Sequence, residues 1–236
     1  MPFPNYLVSL VVGEYDDVIQ NSNGIAIHNY GYPHELEAVK ATTELLPEMM
    51  QFIEEKTAYK YPYPHYTQVV VQDYPFPGLI GQHRASIISD NYIDDYGVHK
   101  DFKYLWDGVA VQALTNQWFG NLLMPKSWDD IWLTKAFGQY FAGLFTIKDN
   151  SKTEYLSYYL PFEKNNALAN WNAKNKHPLV TQNIKDPINL PNDNDNNYKG
   201  SLLLRMLQKE IGESDWWKSV QLFVKSNANK QINTKD

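Results

Sequence analysis

Residues 112–121 read QALTNQWFGN, and residues 132–140, which follow after a short connecting segment, read WLTKAFGQY. Each stretch lies in a segment that predicts an α-helix. Side chains four residues apart in an α-helix lie on the same face, because one turn takes about 3.6 residues. The first stretch therefore brings the amides of Gln112 and Asn116 together, with Ala113 directly after Gln112.

The spacing of these positions is that of H-E-x-x-H, a motif that places two zinc-binding histidines and a general-base glutamate on one helix. The frame around them, Q-W-F-G-N and then W-L-x-x-x-F-x-x-Y, closely resembles the M1 (aminopeptidase N-like) metallopeptidases. Three further segments match that family in the same order: Y-L at Tyr6, Y-P-Y-P before Val69, and Y-K-G-x-x-x-L-R-M-L from Tyr198. The resemblance covers nearly the whole chain.

The resemblance implies a fold and a division of the chain. The expected fold is an α+β, thermolysin-like (gluzincin) catalytic domain, in which a small mixed sheet subdomain precedes a mainly helical one and the active cleft lies between them. Residues 1–22 resemble the terminal strand region of an upstream β domain. Residues 23–103 correspond to the sheet-containing half, and residues 104–236 to the helical half that carries the altered motif.

Apolar patterns predict the individual elements. Pro47 should kink or split the first helix, Gly212 should cap the helix before it, and the polar tail after the last helix should be frayed. Residues 178–197 predict a loop rich in Asn, Asp and Pro. The predicted strands are 6–12, 24–30, 68–72 and 85–89, and the predicted helices are 36–53, 104–123, 128–145, 152–172, 201–211 and 216–225.

The positions that bind zinc and activate water in the family hold other residues here. By the resemblance, Gln112 and Asn116 occupy the two histidine positions, and Lys135 occupies that of the glutamate ligand, after the spacer 117–134. Zinc sites are built from imidazole, thiolate or carboxylate, so two amides and an ammonium are poor ligands. Ala113 occupies the general-base position and cannot deprotonate water. We expect no cofactor, although active relatives contain zinc.

Further functional positions of the family are also replaced. Gln139 stands where an acid orients a zinc-bound histidine, and Asn197 stands at the transition-state tyrosine of Y-x-K-G. The G-x-M-E-N strand, whose glutamate holds the substrate's free amine in the family, falls around residues 77–82, which contain no Glu. The candidates for lining the cleft are Gly78, Gln82, His83 and Tyr198.

Composition argues against other classes of function. A net charge of −6 disfavours nucleic acid as a partner. No run of about 18 apolar residues predicts a membrane span, and no signal peptide is recognisable. The absence of cysteine excludes disulfides and does not indicate a compartment. The opening Met1-Pro2-Phe3-Pro4 leads directly into a strand pattern, which suggests a fragment of a longer multidomain protein.

Two functions from different classes follow. The first is a catalytically inactive pseudo-peptidase that binds a peptide or protein in the cleft or acts as a scaffold. The alternative is a zinc-dependent aminopeptidase-related hydrolase with an atypical active site, which needs a water activator that the sequence does not offer. His83 is the histidine best placed for such a rebuilt site, and its competing interpretation is an exposed loop residue.

The replacements also predict a local interaction. Lys135 carries three donors, and the amides of Gln112 and Asn116 carry acceptors. We predict that the Lys135 ammonium bonds to one of these amides, directly or through water. The competing possibility is that Lys135 extends to solvent.

Overall fold

The computed structural model describes residues 5–74, 79–169, 177–180 and 195–236. The α+β class is confirmed, because a mixed five-stranded sheet precedes a largely helical region. The strands are β1 (Asp16–Ser22), β2 (Ile25–Gly31), β3 (His65–Val71), β4 (Leu79–Gln82), β5 (Ala85–Ser89), β6 (Leu123–Pro125) and β7 (Lys230–Ile232). The helices are α1 (Leu36–Thr42), α2 (Leu46–Thr57), α3 (Tyr96–Thr115), α4 (Ile131–Asp149), α5 (Lys152–Glu154), α6 (Leu160–Ala169), α7 (Gly200–Ile211) and α8 (Glu213–Asn227).

The main sheet has the strand order β1-β2-β3-β5-β4. β2, β3 and β5 run parallel, whereas β1 and β4 are antiparallel edge strands. A two-residue turn joins β1 to β2, and Asn23 and Gly24 have the positive φ angles of 51° and 90° that such a turn requires. The predicted division at residue 22 falls in this hairpin, so one sheet contains residues on both sides of it.

The predicted buried strand at 6–12 is wrong. Asn5–Leu7 form a 3-10 turn, and Leu7 is the only residue among 5–12 with a buried side chain. Leu10 and Val12 are 89% and 85% exposed. The run is β-branched and apolar, but such residues favour a strand only where a neighbouring strand and a packing surface are available.

The break in the first helical pattern is confirmed. α1 ends at Thr42 and α2 begins at Leu46, which places Pro47 in the first turn of α2. Proline costs nothing there because its missing N–H would have no partner within the helix. The split leaves α2 free to bury Met49, Met50 and Ile53 in the core.

The two central helices are α3 and α4. α3 begins at Tyr96, earlier than predicted, because the Asp95 carboxylate accepts hydrogen bonds from the N–H groups of Gly97 and Val98 at 2.8 and 3.2 Å. It ends at Thr115, and the Q-W-F-G-N stretch forms a π-helical turn, Gln117–Leu122.

Aromatic side chains fill the space between these helices and their neighbours. Phe119 stacks on Phe137 with ring centroids 4.0 Å apart. Trp118, Tyr140 and Phe141 are completely buried. This aromatic core fixes the distance between α3 and α4 and thereby the position of the altered motif.

The predicted frayed tail is wrong. β7 pairs in parallel with β6, and its Ile232 side chain is only 1% exposed. The backbone N–H and the hydroxyl of Thr234 donate to Asp130 Oδ1 at 2.9 and 2.8 Å, and Trp132 Nε1 donates to Thr234 Oγ1 at 3.0 Å. A short strand with few apolar residues gives no clear sequence signal, so this pairing could not be predicted.

The predicted loop before α7 ends earlier than expected. Asp195–Lys199 form a π-helical turn that continues into α7, and residues 181–194 lie outside the described ranges. Gly212 ends α7 with a φ of 84°, as predicted for a capping glycine. Within the described ranges, no helix combines the length and apolar character that crossing a bilayer requires.

Candidate functional site

The altered motif lies where α3 packs against α4 at Gly138. A Cβ atom on Gly138 of α4 would lie 3.4 Å from Asn116 Oδ1 and 3.5 Å from the Gln112 carbonyl oxygen. A Cβ atom still fits at these distances, but a side chain larger than a methyl group would push α4 away from this face of α3. Gly138 therefore brings positions 112 and 116 against α4, as the resemblance implies for the ligand-bearing helices.

The three motif residues on α3 have different surroundings. Ala113 is 2% exposed and packs in the core. Gln112 and Asn116 are half-buried. Asn116 Oδ1 is buried and accepts no hydrogen bond from the described residues, and no hydrogen bond joins the Gln112 amide to them. The altered motif thus presents hydrogen-bonding groups without internal partners.

Lys135 is half-buried on α4. The predicted direct bond from its ammonium to Asn116 or Gln112 is wrong, because neither amide has a hydrogen bond to any part of the chain that the structure describes. Asn116 Oδ1 lies beside Gly138, 3.4 Å from the place that a Cβ atom on this glycine would occupy. A bond through water stays a prediction.

Gln139 has a structural partner on the following helical segment. Its Nε2 donates to the hydroxyl of Tyr159 at 2.7 Å, and that hydroxyl donates back to the Gln139 carbonyl at 3.3 Å. Burial raises the pKa of Tyr159 well above its usual value, and Glu163 nearby raises it further. The Tyr159 hydroxyl therefore stays protonated, and this pair joins α4 to the π-helical turn Tyr155–Tyr159.

The polar residues of Q-W-F-G-N hold the edge of the sheet, a role that the sequence analysis did not identify. Gln117 Nε2 donates to the carbonyls of Gln82 and Ala85 at 3.0 and 3.2 Å, and its Oε1 accepts from the Arg84 N–H at 3.1 Å. Asn121 Nδ2 donates to the Gln82 carbonyl at 2.9 Å. These bonds connect the helical half to the turn between β4 and β5, beside the candidates Gln82 and His83.

A cavity of about 560 Å³ borders the altered motif. It brings together two of the family positions, Gln112 and Gln139, with the candidate Tyr198. Other parts of the wall come from residues that the sequence analysis did not select. They include Trp106 on α3, Tyr158 and Tyr159 in the π-helical turn, and Phe162 on α6.

A signal for one of these residues was present in the sequence. Trp106, Val109 and Gln112 recur at intervals of three, so they lie along one face of α3. The contribution of the segment 155–165 has no comparable signal, because its approach depends on tertiary packing. Tyr198 meets Phe162 edge to face, with ring centroids 5.7 Å apart, and closes the cavity on that side.

The remaining candidates lie elsewhere or outside the described ranges. Gln82 and His83 do not line this cavity. The His83 ring meets Tyr63 edge to face at 4.9 Å, and burial lowers the pKa of His83. Asn197 is half-buried in the π-helical turn before α7, and Gly78 lies outside the described residues. The cavity is therefore built mainly from the helical half of the chain, with Tyr92 contributed by the sheet-containing half.

A second polar cluster occupies another face of α3. His99, Lys103 and Asp107 lie on successive turns; His99 Nε2 is 3.8 Å from Asp107 Oδ1, and Lys103 Nζ is 2.8 Å from Asp149 Oδ2. Burial raises the pKa of Asp107 to about 7, although Lys103 lowers it. Burial lowers the pKa of His99. The spacing of these residues was a missed sequence signal for a buried polar cluster.

The chain is similar in sequence to one family of peptidases. The profile of the "Peptidase family M1 domain" matches residues 41–236. Human (Homo sapiens) glutamyl aminopeptidase is 24% identical over 250 residues, which cover 100% of this chain and 25% of that protein. The alanine/arginine aminopeptidase of Saccharomyces cerevisiae is 25% identical over 221 residues, covering 93% and 26%.

An archaeal aminopeptidase matches with a similar identity and coverage. The leucyl aminopeptidase of Saccharolobus solfataricus is 21% identical over 227 residues, covering 93% of this chain and 28% of that protein. The chain spans about a quarter of the length of the curated relatives it matches.

Proposed function

The chain belongs to peptidase family M1, and from that premise we propose that it is a non-catalytic member that binds a peptide or protein in its cleft and does not hydrolyse it. The observation that carries the proposal is the buried methyl group of Ala113, the residue that the resemblance assigns to the general-base position. Loss of one general acid–base group alone costs roughly 10²–10⁴-fold in rate. The two motif residues beside it, Gln112 and Asn116, are amides and supply no carboxylate.

The residues at the family's zinc positions do not fit the metal. Gln112 and Asn116 offer neutral amides, and the Lys135 ammonium repels a dication. Within the described ranges, no three His, Asp or Glu side chains are grouped so that they could hold a metal ion at another place.

With the general-base and zinc positions occupied by other residues, binding without catalysis is the proposed role. A cavity lies beside the altered motif, and the Gln112 amide that borders it forms no hydrogen bond with the described residues. The matched relatives are aminopeptidases, which favours a peptide or protein as the partner class. A net charge of −6 disfavours nucleic acid.

Metal content and turnover test the proposal together. We expect the purified protein to contain no stoichiometric zinc and to hydrolyse no aminoacyl or peptide substrate above background. An active M1 aminopeptidase measured alongside serves as the positive control. Zinc at about one atom per chain that is lost when Gln112 or Asn116 is altered, with peptidase activity that survives further purification, would establish the atypical hydrolase instead.

A restored variant sharpens this test. It combines Gln112→His, Ala113→Glu, Asn116→His and Lys135→Glu, and we expect it to bind zinc with little activity, because Asn197 and the missing exopeptidase glutamate still leave the transition state unsupported. Lys148→Glu makes the same charge change elsewhere on α4 and should bind no zinc. Failure of the restored variant to bind zinc would contradict the assignment of the ligand positions.

A further inference from the structure

Three polar side chains from neighbouring strands of the main sheet share one face. Asp17 on β1 pairs with Tyr30 on β2, and His65 on β3 pairs with Ala26 on β2. Both partners lie two residues from His28, and residues two apart in a strand face the same side of a sheet. Asp17 and His65 are exposed and His28 is half-buried, so this is the outer face of the sheet, away from the core.

The His28 ring is held in one orientation. Its Nδ1 lies 2.7 Å from Asp17 Oδ2, and Tyr30 stacks on the ring with the planes 9° apart. An ionised carboxylate only accepts hydrogen bonds, so Nδ1 carries the proton, and in the neutral ring Nε2 keeps its lone pair. A carboxylate that fixes the tautomer of a histidine in this way is the usual support of a metal-binding imidazole.

A second imidazole lies beside the first. The rings of His28 and His65 have centroids 6.1 Å apart and planes at 85°. With metal–nitrogen distances of about 2.0–2.1 Å, the centres of two imidazoles on one ion are roughly 4.5–6.3 Å apart. The exposed His65 side chain forms no hydrogen bond with the described residues, so its ring can turn towards a shared ion. The distance between the two rings therefore fits a chelate.

Solvent reaches this pair, and the pair supplies two protein ligands. The side chains of His28 and Asp17 are 27% and 23% exposed. Among the described residues, no group of three His, Asp or Glu side chains could hold a metal ion, so Asp17 orients His28 and water completes the coordination. Zinc sites usually have at least three protein ligands, whereas Cu²⁺ binds most tightly in the divalent series and accepts imidazole with oxygen ligands.

We propose that His28 and His65 bind one Cu²⁺ ion on the outer face of the sheet, with Asp17 as the positioning residue for His28 and water as the other ligands. The site is separate from the altered motif and from the cavity beside it, because none of these three residues lines that cavity. The proposal therefore goes beyond the proposed peptide-binding function and does not depend on it.

Copper binding is measured on the untagged protein. Isothermal titration calorimetry with Cu²⁺ added as its glycine complex should show one ion per chain. Electron paramagnetic resonance of the bound ion should show coupling to two imidazole nitrogens. Ni²⁺ and Zn²⁺ should bind more weakly than Cu²⁺, as their place in the divalent series requires. Zn²⁺ binding that is tighter than Cu²⁺ binding would overturn the assignment of the metal.

Substitution of each ligand locates the ion. His28→Gln and His65→Gln should each weaken Cu²⁺ binding at least about 10-fold and remove one nitrogen from the resonance spectrum. His34→Gln is the matched control. His34 is also exposed, lies 3.5 Å from the Glu35 carboxylate and stacks on Tyr32, but no ring contact joins it to a second histidine of the described residues. It should leave Cu²⁺ affinity unchanged.

The role of Asp17 has its own test. Asp17→Ala should weaken Cu²⁺ binding roughly 10-fold, while the spectrum still shows two nitrogens, because both imidazoles remain. Asp17→Asn keeps an acceptor for the His28 N–H and should recover part of the affinity. Asp16→Ala, at the exposed neighbouring position, is the control. Unchanged affinity in Asp17→Ala, or loss of a nitrogen from its spectrum, would contradict the positioning role.

The remaining outcomes separate a built site from adventitious surface binding. Cu²⁺ binding that survives both His28→Gln and His65→Gln, or that His34→Gln weakens equally, overturns the proposal. His65 is exposed, so His65→Gln should fold normally, which circular dichroism checks. Failure of this proposal leaves the proposed function intact, because the zinc and peptidase tests depend on residues 112, 113, 116 and 135.

Discussion

At the scale of single residues, two glutamines on neighbouring turns have opposite roles. Gln117 is completely buried and forms three hydrogen bonds to the backbone around β4 and β5. Gln112 is half-buried and forms none with the described residues. One therefore stabilises the fold, and the other remains available to a ligand.

The first prediction compares the same substitution at these two positions. Gln117→Leu should lower the free energy of unfolding by roughly 2–4 kcal/mol, because it leaves buried backbone groups unpaired. Gln112→Leu, the matched control, should change it by no more than about 0.5 kcal/mol. Urea unfolding followed by circular dichroism measures both, and equal losses would contradict the assigned roles.

The second prediction concerns the pH dependence of stability. The pKa of Asp107 is about 7 in the folded protein and 3.8 in its ordinary state. Between these values the folded state binds a proton that the unfolded state does not bind, so stability decreases as pH rises towards 7 and is level above it. The contribution of Asp107 to the free energy of unfolding should decrease by roughly 2–3 kcal/mol between about pH 5 and pH 8.

Asp107→Asn isolates this contribution. His99 acts in the opposite direction, because burial lowers its pKa and stability from this group increases as pH rises towards its ordinary value of 6.5. The difference in free energy of unfolding between Asp107→Asn and the unmodified protein should therefore favour the variant more at pH 8 than at pH 5. Asp101→Asn, at an exposed position of the same helix, is the control and should retain the original profile. A profile unchanged by Asp107→Asn would refute the prediction.

At the scale of elements, the sequence predicted helices and core strands better than edges. β5 has the predicted bounds, and α7 and α8 differ from theirs by a few residues, because their amphipathic patterns match their burial. β1 was missed because its sequence, DDVIQNS, is mostly polar and its pairing with β2 provides the stability. The π-helical turn at Gln117 was missed because it depends on bonds to the sheet edge.

The third prediction tests how closely two elements pack. A Cβ atom on Gly200 would lie 2.6 Å from Ala136 Cβ, so Gly200→Ala forces α7 away from α4 and should cost roughly 1–3 kcal/mol. Gly138→Ala is the matched control, because its Cβ atom would make contacts of 3.4 Å or more. It should cost less than about 1 kcal/mol. Thermal unfolding ranks the two, and the reverse order would contradict this packing.

At the scale of the whole molecule, the sequence assigned residues to the family site but did not predict the cavity beside them. One helical turn relates Gln112 to Asn116, and the resemblance to the family's spacing assigned Lys135 on the next helix; the assignment of all three to ligand positions stays a prediction. The cavity wall combines α3, α4, the segment 155–165 and Tyr198, which tertiary packing alone brings together. Sequence patterns describe one element at a time and contain no information on that arrangement.

The fourth prediction concerns the segment that was expected to be frayed. Ile232 on β7 belongs to the main core, so Ile232→Ala should lower the free energy of unfolding by roughly 2–4 kcal/mol. Gln231→Ala, at the exposed neighbouring position, should cost no more than about 0.5 kcal/mol. Urea unfolding of both variants decides the matter, and a negligible cost for Ile232→Ala would mean that β7 is not part of the stable fold.

The pairing of β6 with β7 also has a consequence for how the chain folds. α3 and α4 are close in sequence and can associate early. The hydrogen bond from Thr234 to Asp130, by contrast, joins residues that are 104 positions apart. Bringing such distant segments together carries a loop-closure entropy cost and slows folding. We therefore expect the helical pair to be protected from hydrogen exchange before β6, which acquires its protection only when β7 arrives.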